Sequence, residues 1–276
     1  MTLSTGTPID TGTEELLAEV QDGVAVITMN RTERRNAFSP TMVEALARVL
    51  ADIELDDNVG AVVMTGAGGA FCAGGDVKMM AEQAFAPGVT FDELINNQRV
   101  NQRGTSGRLW AMPKPTIAML PGAAAGAGLS LALACDLRYA SDNAILTTAF
   151  AKVGFAGDYG GTWFLTRLIG SAKAKELYFF SDKLTAAEAL DLGLVNAVYD
   201  ADSLQDEVMK KARQLANGPR LALRYMKENL NRAVLTDFIQ CSDIEVTHHA
   251  HTGMTEDHRE AAIAFVEKRE PKFQGR

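Results

Sequence analysis

The chain has 276 residues, of which 47% are apolar and 22% charged, a composition typical of a globular protein with a sizeable core. A formal net charge of −8 argues against a nucleic-acid partner, because phosphate binding needs a basic face. The sequence contains no apolar run of about 18 residues, so it predicts no membrane-spanning helix, and the polar N-terminus lacks a signal-peptide pattern. We therefore expect no membrane partner and a cytoplasmic location.

A lead-in, a hairpin and a helix are the first predicted elements. Residues 1–14 are polar and predict a flexible lead-in. Two short apolar runs, 16–20 and Val24–Met29, flank Asp22-Gly23, a pair typical of a tight hairpin turn. Ser39-Pro40 then predicts the start of a helix, because serine caps helices and proline suits the first helical position.

Two buried strands are each followed by glycine-rich backbone. The run 59–65 predicts a strand that continues into the glycine-rich residues 66–76. The run Thr116–Leu120 predicts another strand, followed by residues 121–128 and by a helix of small residues at 129–134. Between them, the polar residues 81–107 predict a loop plus a helix.

The remainder of the chain changes from mixed structure to helix. Short strands are expected after residue 136, followed by helices near 162–169, 172–180 and 185–192. From residue 201 onward the pattern is wholly helical, with a break at Gly218-Pro219. We therefore divide the chain into the lead-in 1–14, a core at 15–200 and a helical region at 201–276.

The glycine-rich turns are the first candidate functional feature. Small residues let a ligand approach the main chain closely, and a helix start leaves backbone N–H groups that suit a developing negative charge. Two such amides facing one carbonyl oxygen form an oxyanion hole. Tight packing is the alternative explanation of each turn, and neither turn has the spacing of a nucleotide-binding loop.

Several spaced motifs resemble those of the enoyl-CoA hydratase/isomerase (crotonase) superfamily, and the resemblance covers nearly all of residues 16–273. The segment 70–78 (AFCAGGDVK) resembles the first oxyanion motif of that family, and 30–37 (NRTERRNA) resembles the segment that precedes it. Residues 122–136 are similar to the second oxyanion turn and its helix. Family-like segments at 160–170, 189–195 and 264–273 follow in the same order.

The resemblance implies a fold, an assembly and a substrate type. It implies an α/β superhelix of ββα units, followed by C-terminal helices that form a homotrimer or hexamer. It assigns the oxyanion amides to Gly75 and Ala127. Coenzyme A is expected as part of an acyl-CoA thioester substrate in fatty acid or aromatic acid metabolism, with no permanently bound cofactor and no metal.

The acid/base residues depart from the hydratase pattern. Classical hydratases carry two glutamates at positions that here hold Ser130 and Phe150, which disfavours two-glutamate hydration. Asp158 instead resembles the aspartate of a subgroup that includes dienoyl-CoA isomerases and the ring-opening isomerase of phenylacetate degradation. Aryl-CoA dehalogenases also have an aspartate there, but with tryptophan in place of Phe150. The alternative for Asp158 is a turn residue that satisfies local amides.

The leading hypothesis is an acyl-CoA double-bond isomerase in which Asp158 shuttles the proton. Partial desolvation beside Phe150, Phe155 and Trp163 would raise the pKa of Asp158 and strengthen it as a base. An enoyl-CoA hydratase is the alternative within the family, and a non-enzymatic scaffold is the alternative outside it. Seven residues are expected at the substrate or its coenzyme A portion: Arg34, Arg35, Ala73, Asp76, Lys78, Ser130 and Phe150.

Overall fold

The strands of the computed structural model, which describes residues 6–83, 88 and 90–276, form two sheets. The larger sheet has the order β1-β2-β3-β4-β6-β8-β11, with antiparallel pairing only between β1 and β2 and between β2 and β3. Its strands are β1 (Thr7–Ile9), β2 (Leu16–Gln21), β3 (Val24–Met29), β4 (Ala61–Gly66), β6 (Thr116–Leu120), β8 (Leu137–Ser141) and β11 (Ala197–Tyr199).

The smaller sheet has the order β10-β9-β7-β5, and β5, β7 and β9 run parallel to one another. It consists of β5 (Ala70–Cys72), β7 (Ala123–Ala125), β9 (Ile145–Thr147) and β10 (Leu184–Thr185). Because β5 follows β4, β7 follows β6 and β9 follows β8, the chain crosses three times from the large sheet to the small one.

Helices separate and follow the strands. They are α1 (Pro40–Leu55), α2 (Val77–Gln83), α3 (Phe91–Gly104), α4 (Ser106–Ala111), α5 (Ala127–Ala134), α6 (Gly161–Phe180), α7 (Ala186–Asp191), α8 (Leu204–Ala216), α9 (Arg220–Ala233), α10 (Phe238–Gly253) and α11 (Glu256–Glu267). Among the described residues, no helix is both long and apolar enough to cross a membrane.

The central strands of the large sheet are buried on both faces. Along β4, Val62 and Met64 face the main core beneath α1, whereas Ala61 and Val63 face a second core beneath α8. Successive strand residues point to opposite faces, so a strand covered on both sides is apolar throughout, as β4 is. This layering holds the small sheet and its turns on a rigid base.

Most predicted elements are present. Ser39 caps α1 by accepting a hydrogen bond from the Met42 amide at 3.0 Å, and β6 has the predicted bounds. The two helices predicted at 162–169 and 172–180 are joined as α6 through a kink at Gly170. The C-terminal region is helical from α8 onward, and the break at Gly218-Pro219 separates α8 from α9.

The N-terminal lead-in differs from its prediction as a flexible segment. Thr7–Ile9 form β1, which pairs antiparallel with residues 18–20 of β2. An edge strand gains main-chain hydrogen bonds that local polarity does not reveal. Residues 1–5 of the lead-in, and 84–87 and 89 of the predicted loop at 81–107, lie outside the described residues.

Candidate active site

Three neighbouring strand ends define the candidate active site. The strands β5, β7 and β9 are adjacent and parallel, with Ala70 opposite Ala123 and Ala125 opposite Thr147. The carboxyl ends of parallel strands meet at one edge of a sheet, where ligands of such folds commonly bind. The chain leaves β5 through Gly75, β7 through Ala127, and β9 towards Asp158, so these predicted residues lie on segments that leave one edge.

The two glycine-rich turns touch each other. Gly74 has φ +91°, and a Cβ added to it would lie 2.8 Å from the Ala125 carbonyl oxygen and 3.2 Å from the Ala127 nitrogen. Only glycine fits this conformation and this approach. The first turn is also held from outside, because the Phe38 amide donates to the Gly74 carbonyl at 2.7 Å and the Ala73 amide donates to the Arg35 carbonyl at 3.0 Å.

The backbone amides of Gly75 and Ala127 are the candidate oxyanion donors at this edge. Within residues 6–83, 88 and 90–276, neither amide donates to a backbone carbonyl of a turn or loop. Ala127 is the first residue of α5, and the first N–H groups of a helix have no partner inside the helix. Two neighbouring free donors can stabilise negative charge on one oxygen, which is the property predicted from the glycine-rich pattern.

Asp158 is a half-buried carboxylate beside this edge. Its Oδ1 is buried and has no hydrogen-bond partner among the described residues. Burial raises its pKa from 3.8 to about 6. The backbone carbonyl of Asp158, rather than its side chain, closes the local turn by accepting from the Gly161 amide at 3.0 Å. The side chain is thus not used to satisfy the turn, in contrast to the alternative explanation.

The three aromatic residues predicted beside Asp158 differ in their burial and in their ring partners. Phe150 is buried and stacks on Tyr178 at 5.6 Å between ring centroids. Phe155 is 56% exposed, so its side chain mostly faces solvent. Trp163 packs edge-on against Trp110, with 5.4 Å between the ring centroids.

Tyr178 is a polar neighbour of the site that the sequence pattern does not reveal. Its ring lies 3.0 Å from the position of a Cβ added to Gly157, the residue before Asp158. Burial and the charge of Asp158 raise the pKa of Tyr178, and contact with the Ser130 hydroxyl opposes that rise. Tyr178 is 20 positions from Asp158 in the chain. No local signal could therefore have identified it.

Four of the seven expected substrate-binding residues are charged, and they differ in their surroundings. Arg34, Arg35 and Lys78 are exposed cations near the first turn, and their placement is compatible with binding phosphates. Asp76 instead has both carboxylate oxygens engaged, since Oδ1 accepts from the Met79 amide at 3.2 Å and Oδ2 pairs with Arg31 at 3.2 Å. These contacts lower the pKa of Asp76, with the Met79 amide as the largest cause, and they leave its side chain a structural role.

A cavity of about 330 Å³ lies next to the turn that carries Asp158. Tyr159 and Gly160 line it on that side, and Gly107 from the segment 81–107 lines it on the other. Its remaining surface combines the aromatic side chains of Trp110, Trp163 and Phe164 with Leu235 and with the polar residues Gln102, Arg103 and Ser106. Concave, mostly apolar cavities of this size are typical of small-molecule binding sites.

A parallel-rich α/β fold with glycine-rich strand ends beside a desolvated carboxylate has the features of an enzyme that removes a proton and stabilises the resulting negative charge. The sequence pattern of the enoyl-CoA hydratase/isomerase family matches residues 19–276. The chain therefore belongs to that family, and the resemblance stated from its motifs is confirmed.

Curated and structural relatives agree with this assignment. The chain is 35% identical over 267 residues to the 1,2-epoxyphenylacetyl-CoA isomerase of Escherichia coli (strain K12), covering 95% of this chain and 99% of that protein. Among solved structures, it is similar to an enoyl-CoA hydratase from Bacillus anthracis, with 30% identity and a TM-score of 0.88 over 95% of this chain and 100% of that one. An enoyl-CoA hydratase from Polaromonas sp. JS666 gives 32% identity and a TM-score of 0.87, over 94% and 99% of the two chains.

Proposed function

We propose that this enzyme moves a double bond in an acyl-CoA thioester, with Asp158 as the single proton-shuttling base. The observation that carries the proposal is the buried Oδ1 of Asp158, which lacks a hydrogen-bond partner among the described residues and belongs to a carboxyl of pKa about 6. A base poised near the operating pH abstracts and returns protons efficiently. The positions of the two hydratase glutamates hold Ser130 and Phe150, and neither can act as a carboxylate base.

The proposed reaction uses both strand-end turns. The thioester oxygen accepts hydrogen bonds from the amides of Gly75 and Ala127, which stabilise the negative charge that develops on deprotonation. Asp158 takes a proton from the α- or γ-carbon, the C–H electron pair becomes part of a dienolate, and the double bond shifts. The same carboxyl then returns the proton to the other end of the dienolate. No net proton or electron is gained or lost.

The decisive experiment replaces Asp158 by asparagine and uses a β,γ-unsaturated acyl-CoA. Wild-type enzyme is expected to form the conjugated 2-enoyl-CoA faster than any 3-hydroxyacyl product, whereas Asp158→Asn should lose activity and keep its affinity for coenzyme A. Asp182→Asn, which changes an exposed aspartate, is the matched control and should retain activity.

Hydration is the outcome that would contradict the isomerase proposal. Rapid formation of 3-hydroxyacyl-CoA from a 2-enoyl-CoA that survives Asp158→Asn would mean that another group activates water. Running the reaction in deuterated water adds a second measurement, because a shuttling base that exchanges slowly with solvent transfers part of the original hydrogen to the product.

The acyl group is proposed to occupy the aromatic cavity, while Arg34, Arg35 and Lys78 bind phosphates of coenzyme A. The cavity adjoins the Asp158 turn through Tyr159 and Gly160. Trp163→Ala is expected to raise KM for larger acyl groups more than for short ones. An equal change in KM for all acyl lengths would show that the cavity does not bind the acyl group.

We also propose that the C-terminal helices join sister subunits into a trimer or hexamer. Large apolar side chains on α9–α11 are strongly exposed in the single chain: Met226, Leu230, Phe238, Ile239, Val246, Phe265 and Val266. Exposed apolar surface of this extent is typical of an interface. Light scattering at micromolar concentration should give a trimeric or hexameric mass, and a stable monomer would contradict the proposal. The cytoplasmic location stays a prediction.

A further inference from the structure

Ser130 occupies a position that links the base side of the site to the oxyanion side. Its hydroxyl is buried and donates to the Gly126 carbonyl at 3.2 Å, and its own amide donates to the same carbonyl at 3.0 Å. The Gly126 carbonyl and the Ala127 N–H belong to one peptide group. A hydrogen bond accepted by the carbonyl polarises that group and makes its N–H a stronger donor.

Tyr178 lies on the other side of Ser130. A Cβ added to Gly161 would lie 2.6 Å from the Tyr178 hydroxyl oxygen and would also collide with the Ser130 hydroxyl, so the two hydroxyls converge on one point. Two threonines hold the end of α6 there. The Thr148 hydroxyl donates to the Leu177 carbonyl at 2.6 Å, and the Thr147 hydroxyl donates to the Ser181 carbonyl at 3.1 Å.

We infer that Ser130 is a positioning residue of the oxyanion hole, held by Tyr178, which strengthens the Ala127 N–H through the shared Gly126–Ala127 peptide. The inference rests on the proposed function, since it needs the Ala127 amide to bind the thioester oxygen. It gives a role to the side chain that stands where hydratases carry a glutamate. Ser130 does not touch the reacting atoms in this role.

The test measures the carbonyl of a bound thioester directly. Hexanoyl-CoA labelled with ¹³C at the thioester carbonyl is saturated, so neither an isomerase nor a hydratase consumes it. Its isotope-edited infrared carbonyl band should shift to lower frequency on binding to wild-type enzyme, because both amides polarise the bond. Ser130→Ala should lose roughly a tenth to a third of that shift. Turnover of a β,γ-unsaturated acyl-CoA should fall about two- to eightfold in kcat, with a smaller change in KM.

Two further variants make the test selective. Ser141→Ala also removes a fully buried hydroxyl, one that donates to the Asp142 side chain, and it should leave the band and kcat unchanged. Tyr178→Phe keeps the ring and should shift the band in the same direction as Ser130→Ala, by a smaller amount. This variant also keeps the inference testable if Ser130→Ala folds poorly.

Three outcomes of the infrared experiment separate the inference about Ser130 from the oxyanion assignment itself. A wild-type shift that is reduced in Ser130→Ala and Tyr178→Phe but kept in Ser141→Ala supports the inference. A wild-type shift unchanged in both site variants overturns it and leaves the isomerase proposal standing. Absence of any shift in wild-type enzyme overturns the oxyanion assignment itself, and the inference about Ser130 with it.

Discussion

Replacing Asp158 by asparagine should stabilise the folded protein near neutral pH while it removes activity. The folded state raises the pKa of this carboxyl from 3.8 to about 6, by burial. The ionised form is therefore less favourable in the folded protein than in the unfolded chain. Asparagine has nearly the same shape and never carries the charge.

The magnitude follows from the size of the pKa shift. Each pKa unit corresponds to about 1.4 kcal/mol, so the cost of ionising Asp158 in the folded state is about 3 kcal/mol at most. Water that reaches the half-buried carboxyl, and the imperfect hydrogen bonding of a buried amide, reduce the gain to about 1–3 kcal/mol. For a chain of this size, the melting temperature should rise by about 2–4 °C for each kcal/mol.

The raised pKa of Asp158 determines the direction in which folding stability changes with pH. A carboxyl whose pKa is raised on folding contributes stability below its unfolded pKa of about 4, and this contribution is lost as pH rises through about 6. The wild type should therefore lose stability relative to Asp158→Asn over this window, and the two proteins should differ most above about pH 7.

Urea and thermal unfolding of both proteins at equal concentration, from about pH 4 to about pH 8, measure this difference. Equal concentrations are needed because assembly makes the melting temperature depend on concentration. An Asp158→Asn protein that is less stable at neutral pH, or whose stability difference does not vary with pH, would refute the reasoning. In that case the carboxyl would have a favourable partner in the folded state.

Three further predictions use other parts of the structure. Because the pKa of Asp158 is about 6, kcat/KM should fall about tenfold between pH 7 and pH 5, and a flat profile would exclude Asp158 as the essential base. Gly75→Pro removes one oxyanion donor and should lower kcat about 10²-fold. Gly75→Ala keeps the N–H, and its added methyl group contacts only the flexible end of the Met80 side chain, so this variant should retain most activity. Lys227→Met removes the buried lysine that pairs with the partly exposed Asp136 carboxylate at 2.9 Å, and it should lower the free energy of unfolding by about 1–3 kcal/mol. No measurable loss in urea unfolding would show that water replaces the lysine.

Local signals in the sequence were sufficient for most elements and for the positions of the glycine-rich turns. Ser39-Pro40 specifies the start of α1 because a cap and a fixed φ act within a few residues. Asp22 and Gly23 both have positive φ in the hairpin, which is the turn chemistry that their pairing predicts. The resemblance to the family added the candidate roles of Gly75, Ala127 and Asp158, which no periodicity or spacing would assign.

The tertiary structure decided how these residues are surrounded. The sequence places Asp158 beside aromatic residues, but only packing shows that Phe150 is buried against Tyr178 and that Phe155 points to solvent. The engagement of Asp76 by Arg31 joins residues 45 positions apart, and nothing near either residue predicts it. β1 is likewise recognisable only from its pairing with β2.

The sequence by itself thus determined most strands and helix starts and the positions of the glycine-rich turns, because caps, glycines and apolar periodicity act over one or two helical turns. Only the tertiary structure brought the Tyr178 and Ser130 hydroxyls together beside the Gly126–Ala127 peptide and left Oδ1 of Asp158 buried without a partner among the described residues. Such contacts depend on how parallel strand ends and α6 pack across the sheet edge. Their energies come from burial and hydrogen bonding between distant segments, which no short stretch of sequence encodes.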